Sequence, residues 1–189
     1  MPFTFEPQSI PEVILIHARR FDDERGFFLE THKQSEFAAA GIPGPFVQDN
    51  HSQSAAGVVR GLHYQLPPYA QGKLVRVAVG AAWDVAVDIR RGSSTFGRWV
   101  AAHLTAAGGE MLWIPPGFAH GFLALEEGTH LLYKCTAEYA GAAERGIRWD
   151  DSTLALPWPA QDTGGRPLTH RVSEKDAALP PLDRAELFA

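Results

Sequence analysis

From Trp83 to Ile89 the chain alternates. Trp83, Val85, Val87 and Ile89 fall on one face of an extended segment, and Asp84, Ala86 and Asp88 on the other. A period of two marks a β-strand. Similar runs recur: the segments 12–17, 57–65, 73–79, 82–90, 97–104, 110–114, 119–125 and 129–139 all read as strands, separated by breaks such as "LPPYAQG", "RRGSSTFG", "TAAGG" and "PPG". Helical pattern is scarce. "KQSEFAAAG" (33–41) ends on a suitable glycine, and "SEKDAAL" (173–179) starts with a capping serine. Many short strands at this spacing predict an all-β fold, an antiparallel jelly-roll barrel with a few short helices.

With 189 residues the chain suits one core and one domain, 1–189. From about Trp158 onward it is richer in Pro, Gly and charge, and this segment, 158–189, is expected to wrap the barrel. A net charge of −5 argues against a nucleic-acid partner but leaves room for a small anion held by local Arg and Lys. The start, "MPFTFEPQSIPEV", lacks the features of a signal peptide, and no apolar run approaches the ~18 residues of a membrane span. A lone cysteine, Cys135, excludes an internal disulfide and fits a reducing compartment. A cytoplasmic protein is expected, with no membrane partner.

The polar residues inside the strand pattern carry the chemistry. If "LPPYAQG" closes a hairpin, His63 of "RGLHYQ" and Lys73 lie close across a strand pair. If "EG" (127–128) turns a second, Phe122 faces Tyr133 and His120 faces Cys135, so His120 and Tyr133 become diagonal neighbours on one sheet face. Any one of these residues has an ordinary structural explanation. An interior holding two histidines, a lysine, a tyrosine and Asp84 is costly as mere core, because buried charges need partners. Strict alternation sets Arg60 and His63 on opposite faces, so both serve one site only if Gly61 sits in a bulge. Cys135 has no activating neighbours and reads as a buried structural thiol. The five tryptophans, at 83, 99, 113, 149 and 158, read as packing residues.

Metal binding is the obvious rival. "PPGFAH" matches the second cupin signature, but the first requires H-x-H and a following glutamate. In "GLHYQLPPYAQ" Gln65 replaces the second histidine and the glutamate is missing. His63 and His120 alone make a poor metal site, so no metal and no cofactor are expected. A metal-dependent cupin oxygenase stands as the remote alternative.

The runs "DERGFFLE", "FVQDNHSQSAAGVVRGLHYQLPPYAQGKLVRVAVGAAWDVAVDIRRGSSTFGRW", "LWIPPGFAHGFLAL", "LLYKCTAEY", "ERGIRWDD" and "SEKD" span Phe21 to Asp176. Together they resemble the dTDP-4-dehydrorhamnose 3,5-epimerase family. The resemblance implies a metal-free cupin-type jelly roll, a homodimer, acting on a dTDP-4-keto-6-deoxyhexose. It implies His63 as general base, Tyr133 as general acid, Lys73 at the keto oxygen and Asp176 as the carboxylate orienting the base. As substrate contacts it implies Arg25, Glu30, Gln48, Asn50, Arg60, Lys73, His120, Glu144 and Lys175. The stretch between "WP" and "KD" is longer here than in the family pattern. Inversion at C3 and C5 next to a ketone fits these groups: an imidazole with an ordinary pKa near 6.5 takes a proton, a phenol returns one, and fixed positive charge meets the enolate. Relatives with the same motifs that invert one centre, or isomerise the ketone, are the nearer alternative.

Overall fold

Strands with two apolar faces must be covered on both, and this chain does so with two antiparallel sheets laid face to face between outer layers. The structure is a computed structural model that describes residues 2–189. Strands β1 (Phe3–Pro7), β2 (Ile14–Ala18), β3 (Arg20–Asp23) and β4 (Gly26–Leu29) precede a short helix, α1 (Gln34–Ala39). The body follows: β5 (Gln48–Ser54), β6 (Val59–Gln65), β7 (Lys73–Val79), β8 (Ala81–Asp88), β9 (Trp99–Thr105), β10 (Glu110–Ile114), β11 (Phe118–Ala124) and β12 (Thr129–Cys135). A short β13 (Glu144–Gly146) and one helical turn, α2 (Glu174–Ala177), complete the set.

One sheet has six strands in the order β1-β2-β10-β7-β12-β5, the other five in the order β13-β6-β11-β8-β9. This is a jelly roll. Between the sheets lies a core of Val75, Val77, Ala86, Leu104, Leu112, Phe118, Phe122 and Leu131. Trp83, Val85, Val87 and Ile89 point the other way, into a second core that Ile147 and Leu154, with Leu182 and Ala185 of the C-terminal segment, cover. A third core lies under α1, where Phe37 packs on Phe3, Ile16, Leu74 and Trp113. The tryptophans pack in these outer layers, as expected. Among the described residues no helix is long and apolar enough to cross a membrane.

All eight expected strands exist, and 73–79 and 110–114 keep their bounds. The two expected hairpins do not. β6 and β7 belong to different sheets, as do β11 and β12. "LPPYAQG" and "EG" are therefore crossovers between layers, and residues thought to be strand neighbours face each other across the interior. The N-terminal "EVILI" run leads into β2, which is paired on both sides, by β1 and β10.

The bulge at Gly61 is present. On β11, His120 and Phe122 are two residues apart, yet they pair with His63 and Arg60, three apart on β6. Gly61 takes up the extra residue at φ +109°, a conformation that L side chains rarely adopt. As a result Val59, Leu62 and Tyr64 share the outer face, while Arg60 and His63 both turn inward.

Candidate active site

The inner faces of both sheets contribute to one cavity of about 290 Å³, lined by Arg60, His63 and His120 from one sheet and Ser52, Lys73 and Tyr133 from the other. His63 and His120 are directly opposed on β6 and β11. Across the interior the His120 and Tyr133 rings are 6.4 Å apart, and Lys73 Nζ lies 6.0 Å from the Tyr133 ring centre. Lys73 Nζ also donates to the His63 carbonyl at 3.4 Å. The expected proximities hold, across layers rather than within a sheet.

Each histidine is held by a carboxylate at Nε2. For His63 it is Asp176 Oδ1, at 2.9 Å. Asp176 comes from α2, where Ser173 Oγ caps the Asp176 N–H at 3.1 Å, and its Oδ2 accepts the Gly61 N–H at 3.2 Å. The long connection before "SEKD" thus still delivers Lys175 and Asp176 to the cavity wall. With Nε2 spent on Asp176, Nδ1 is the His63 nitrogen left for substrate. His120 Nε2 meets Asp84 Oδ2, also at 2.9 Å.

Burial raises the Asp176 carboxyl, but the hydrogen bond and charge of His63, with the Gly61 N–H, bring it below its ordinary value. Burial pushes the Tyr133 phenol up, helped by Cys135 and Glu144 and opposed by Arg60, so it keeps its proton. Burial also draws the Lys73 ammonium down, against the pull of Cys135, Asp84 and Glu144. An oxyanion placed beside Lys73 would restore the charge that burial weakens.

A second hollow of about 270 Å³ adjoins the first through His63, Lys73 and Tyr133 and brings in Gln48, Asn50, Tyr139 and Glu144. Glu144 Oε2 accepts from Lys175 Nζ at 2.7 Å and from the Tyr139 hydroxyl at 3.0 Å, and Gln48 Oε1 accepts the Tyr139 N–H at 2.7 Å. Arg60 is steadied by Ser54 Oγ at 3.1 Å and the Gln53 carbonyl at 3.0 Å. Cys135 is buried, taking a hydrogen bond from Asn50 Nδ2 at 3.6 Å.

Two expected contacts lie elsewhere. Arg25 sits exposed at the tip of the β3–β4 hairpin, paired with Asp23, and Glu30 lines a shallow depression with Arg19, Phe21, Phe28 and Lys33. Neither lines the cavity, because β3 and β4 pair only with each other and not with the barrel sheets. Conversely, Ser52, Tyr139 and Ser173 reach the site unforeseen. The polar alternation Gln48, Asn50, Ser52 in "QDNHSQS" was the available signal for the first. Among the described residues no three His, Cys, Asp or Glu side chains group so as to hold a metal ion.

Comparison with known proteins gives the family. The family model described as dTDP-4-dehydrorhamnose 3,5-epimerase matches residues 7–184. The Shigella flexneri enzyme of that name is 53% identical over 169 residues, covering 89% of this chain and 90% of its own. The crystal structure of the Legionella pneumophila 3,5-epimerase in complex with dTDP-4-keto-L-rhamnose is 42% identical, covers 96% of this chain and 94% of its own, and superposes with a TM-score of 0.89. A 3'-monoepimerase from Streptomyces bikiniensis, solved with dTDP-quinovose, is 31% identical with a TM-score of 0.86, covering 94% and 87%. Matched along most of its length in both sequence and fold, the chain belongs to the dTDP-4-dehydrorhamnose 3,5-epimerase family.

Proposed function

We propose that the chain inverts C3 and C5 of dTDP-4-dehydro-6-deoxy-D-glucose to give dTDP-4-dehydro-L-rhamnose. The observation that carries this reading is a carboxylate-held histidine, His63, in one cavity with Lys73 and Tyr133. His63 Nδ1 takes the proton from a carbon next to the ketone. The C–H electron pair moves into the carbonyl, whose oxygen becomes an enolate facing the Lys73 ammonium. Asp176 steadies the imidazolium that forms. Tyr133, from the facing sheet, returns a proton to the opposite face of the carbon and the carbonyl re-forms; the phenolate then regains a proton from solvent while the His63 imidazolium gives its own up to solvent. The sequence is redox-neutral and asks nothing of a cofactor. Arg60, Gln48, Asn50, Glu144 and Lys175 are assigned to binding, with Arg60 suited to the diphosphate.

We also read the protein as a homodimer. Phe21, Phe27 and Phe28 are exposed on the β3–β4 hairpin, which calls for a covering surface. Arg25 and Glu30, implied as ligand contacts, lie outside their own chain's cavity, so a second copy is the means of bringing them to a substrate.

Incubation with dTDP-4-keto-6-deoxyglucose, followed by NMR, tests the activity. The expected product is inverted at both centres, and substrate recovered with its configuration intact would refute the reading. A single-centre epimerase is the second reading, favoured by the likeness to the Streptomyces protein. It predicts deuterium from D2O at one carbon only.

A further inference from the structure

One buried carboxylate bonds a cavity histidine without taking part in these proton transfers. Asp84 on β8 is fully buried; its Oδ2 meets His120 Nε2 at 2.9 Å, and its Oδ1 is buried without a hydrogen-bond partner among the described residues. A buried carboxylate with half its capacity unspent is a poor stabilising element, since desolvation costs more than one hydrogen bond returns. Its effect on His120 is specific, however. Carboxylate oxygens offer only lone pairs, so the hydrogen between the two groups belongs to Nε2. Burial, with Lys73 and His63 adding and Asp84 opposing, keeps the His120 imidazole below its ordinary pKa, so the ring is neutral near pH 7. A neutral ring carrying its hydrogen on Nε2 has its lone pair on Nδ1. That is the nitrogen His120 has left for the cavity it lines.

We propose that Asp84 is a positioning residue that fixes His120 as a hydrogen-bond acceptor, through Nδ1, for the sugar hydroxyl on C2, the carbon next to the reacting C3. The proposal rests on the epimerase reading for the identity of that sugar. It divides the labour of the cavity by lone pair and hydrogen. His63 offers a lone pair to a carbon-bound proton, His120 offers one to a hydroxyl, and Lys73 is left as donor to the carbonyl oxygen without a competing imidazole N–H. A 2-deoxy analogue of the nucleotide sugar would leave the acceptor unmatched, and a site built to bond a hydroxyl discriminates against its absence.

The test has two arms. In wild-type protein labelled with 15N-histidine, two-bond proton–nitrogen correlations near pH 7.5 should give His120 the pattern of a ring protonated at Nε2 and bare at Nδ1. In Asp84→Asn the amide can turn its NH2 toward Nε2 and select the other tautomer. That variant should invert the pattern and lose roughly tenfold or more in kcat/KM. The penalty that wild type shows against the 2-deoxy analogue should shrink in it. A wild-type ring protonated at Nδ1 would overturn the proposal, as would an Asp84→Asn enzyme with unchanged kcat/KM. If Asp84→Asn does not fold, the wild-type spectrum and the wild-type penalty against the analogue still decide. Failure of the epimerase reading appears separately, as wild-type protein that does not turn over the keto sugar while its tautomer remains readable.

Discussion

At the scale of single residues, the roles of His63 and Tyr133 separate in D2O. Wild type should place deuterium at both C3 and C5, because each inversion passes through an enolate. His63→Ala should lose wash-in at both positions by at least ~10²-fold, the low end for a general base. Tyr133→Phe keeps the base, so exchange with retention should persist while inversion fails. A folded His63→Ala protein exchanging at nearly the wild-type rate would remove the base assignment. Several of these residues were legible in the sequence because charge inside a strand pattern is expensive: His63, Lys73, Asp84, His120 and Tyr133 all interrupt faces that apolar side chains would otherwise fill. What each histidine leans on was not legible from spacing. Asp176 lies 113 positions from His63, and Asp84 lies 36 from His120. Only the fold sets such distances.

At the scale of elements, the bend in β6 joins packing to chemistry. A Cβ added at Gly61 would stand 2.6 Å from the His120 carbonyl oxygen and 2.7 Å from Gly121 Cα, both backbone atoms of β11. Gly61→Ala should therefore cost about 1–3 kcal/mol, seen as a lower denaturant midpoint. It should also lose activity beyond what unfolding explains, since Arg60 and His63 share the cavity only through this bulge. A Gly61→Ala midpoint equal to wild type would contradict the packing account. The β8–β9 connection makes a second prediction. Burial works against the Asp88 carboxylate, but bonds from Arg90, Ser93 and Thr95 more than offset it and hold the group at about 2, below its usual 3.8. A depressed folded value means that stability is present in full above about pH 4 and is lost as pH falls through 2. The advantage of wild type over Asp88→Asn, roughly 2 kcal/mol at neutral pH, should narrow across that window in pH-dependent unfolding. An advantage that did not change between pH 4 and 2 would rule out this linkage. Strands with an apolar face were readable from alternation. β5 was not: Gln48, Asn50 and Ser52 face inward and Asp49, His51 and Gln53 face out, so "QDNHSQS" has no hydrophobic rhythm to detect. The hairpin expectations failed because a short connection was equated with pairing, whereas here even the turn before β12 passes between sheets.

For the whole molecule, assembly is the testable matter. Light scattering at micromolar concentration should return twice the chain mass, and a monomeric mass would refute the homodimer. Mixing Arg25→Ala chains with His63→Ala chains should restore part of the activity that each lacks alone, because a hybrid can pair an intact hairpin with an intact base. No recovery from chains shown to exchange would mean that the hairpin does not serve the other copy's cavity. The jelly-roll class could be read from strand number and turn spacing. The layer order could not, because it depends on which strands find each other across long loops. One such long-range closure affects timing during synthesis. Every barrel strand, through β13, lies before residue 147, while the carboxylate that holds the base arrives with α2. A nascent chain can therefore complete its sheets with His63 still unoriented, and under the proposed mechanism turnover is expected only once Asp176 has left the ribosome and docked. Activity thus reports that synthesis has passed α2, which a barrel carrying all its catalytic groups within its own strands would not report.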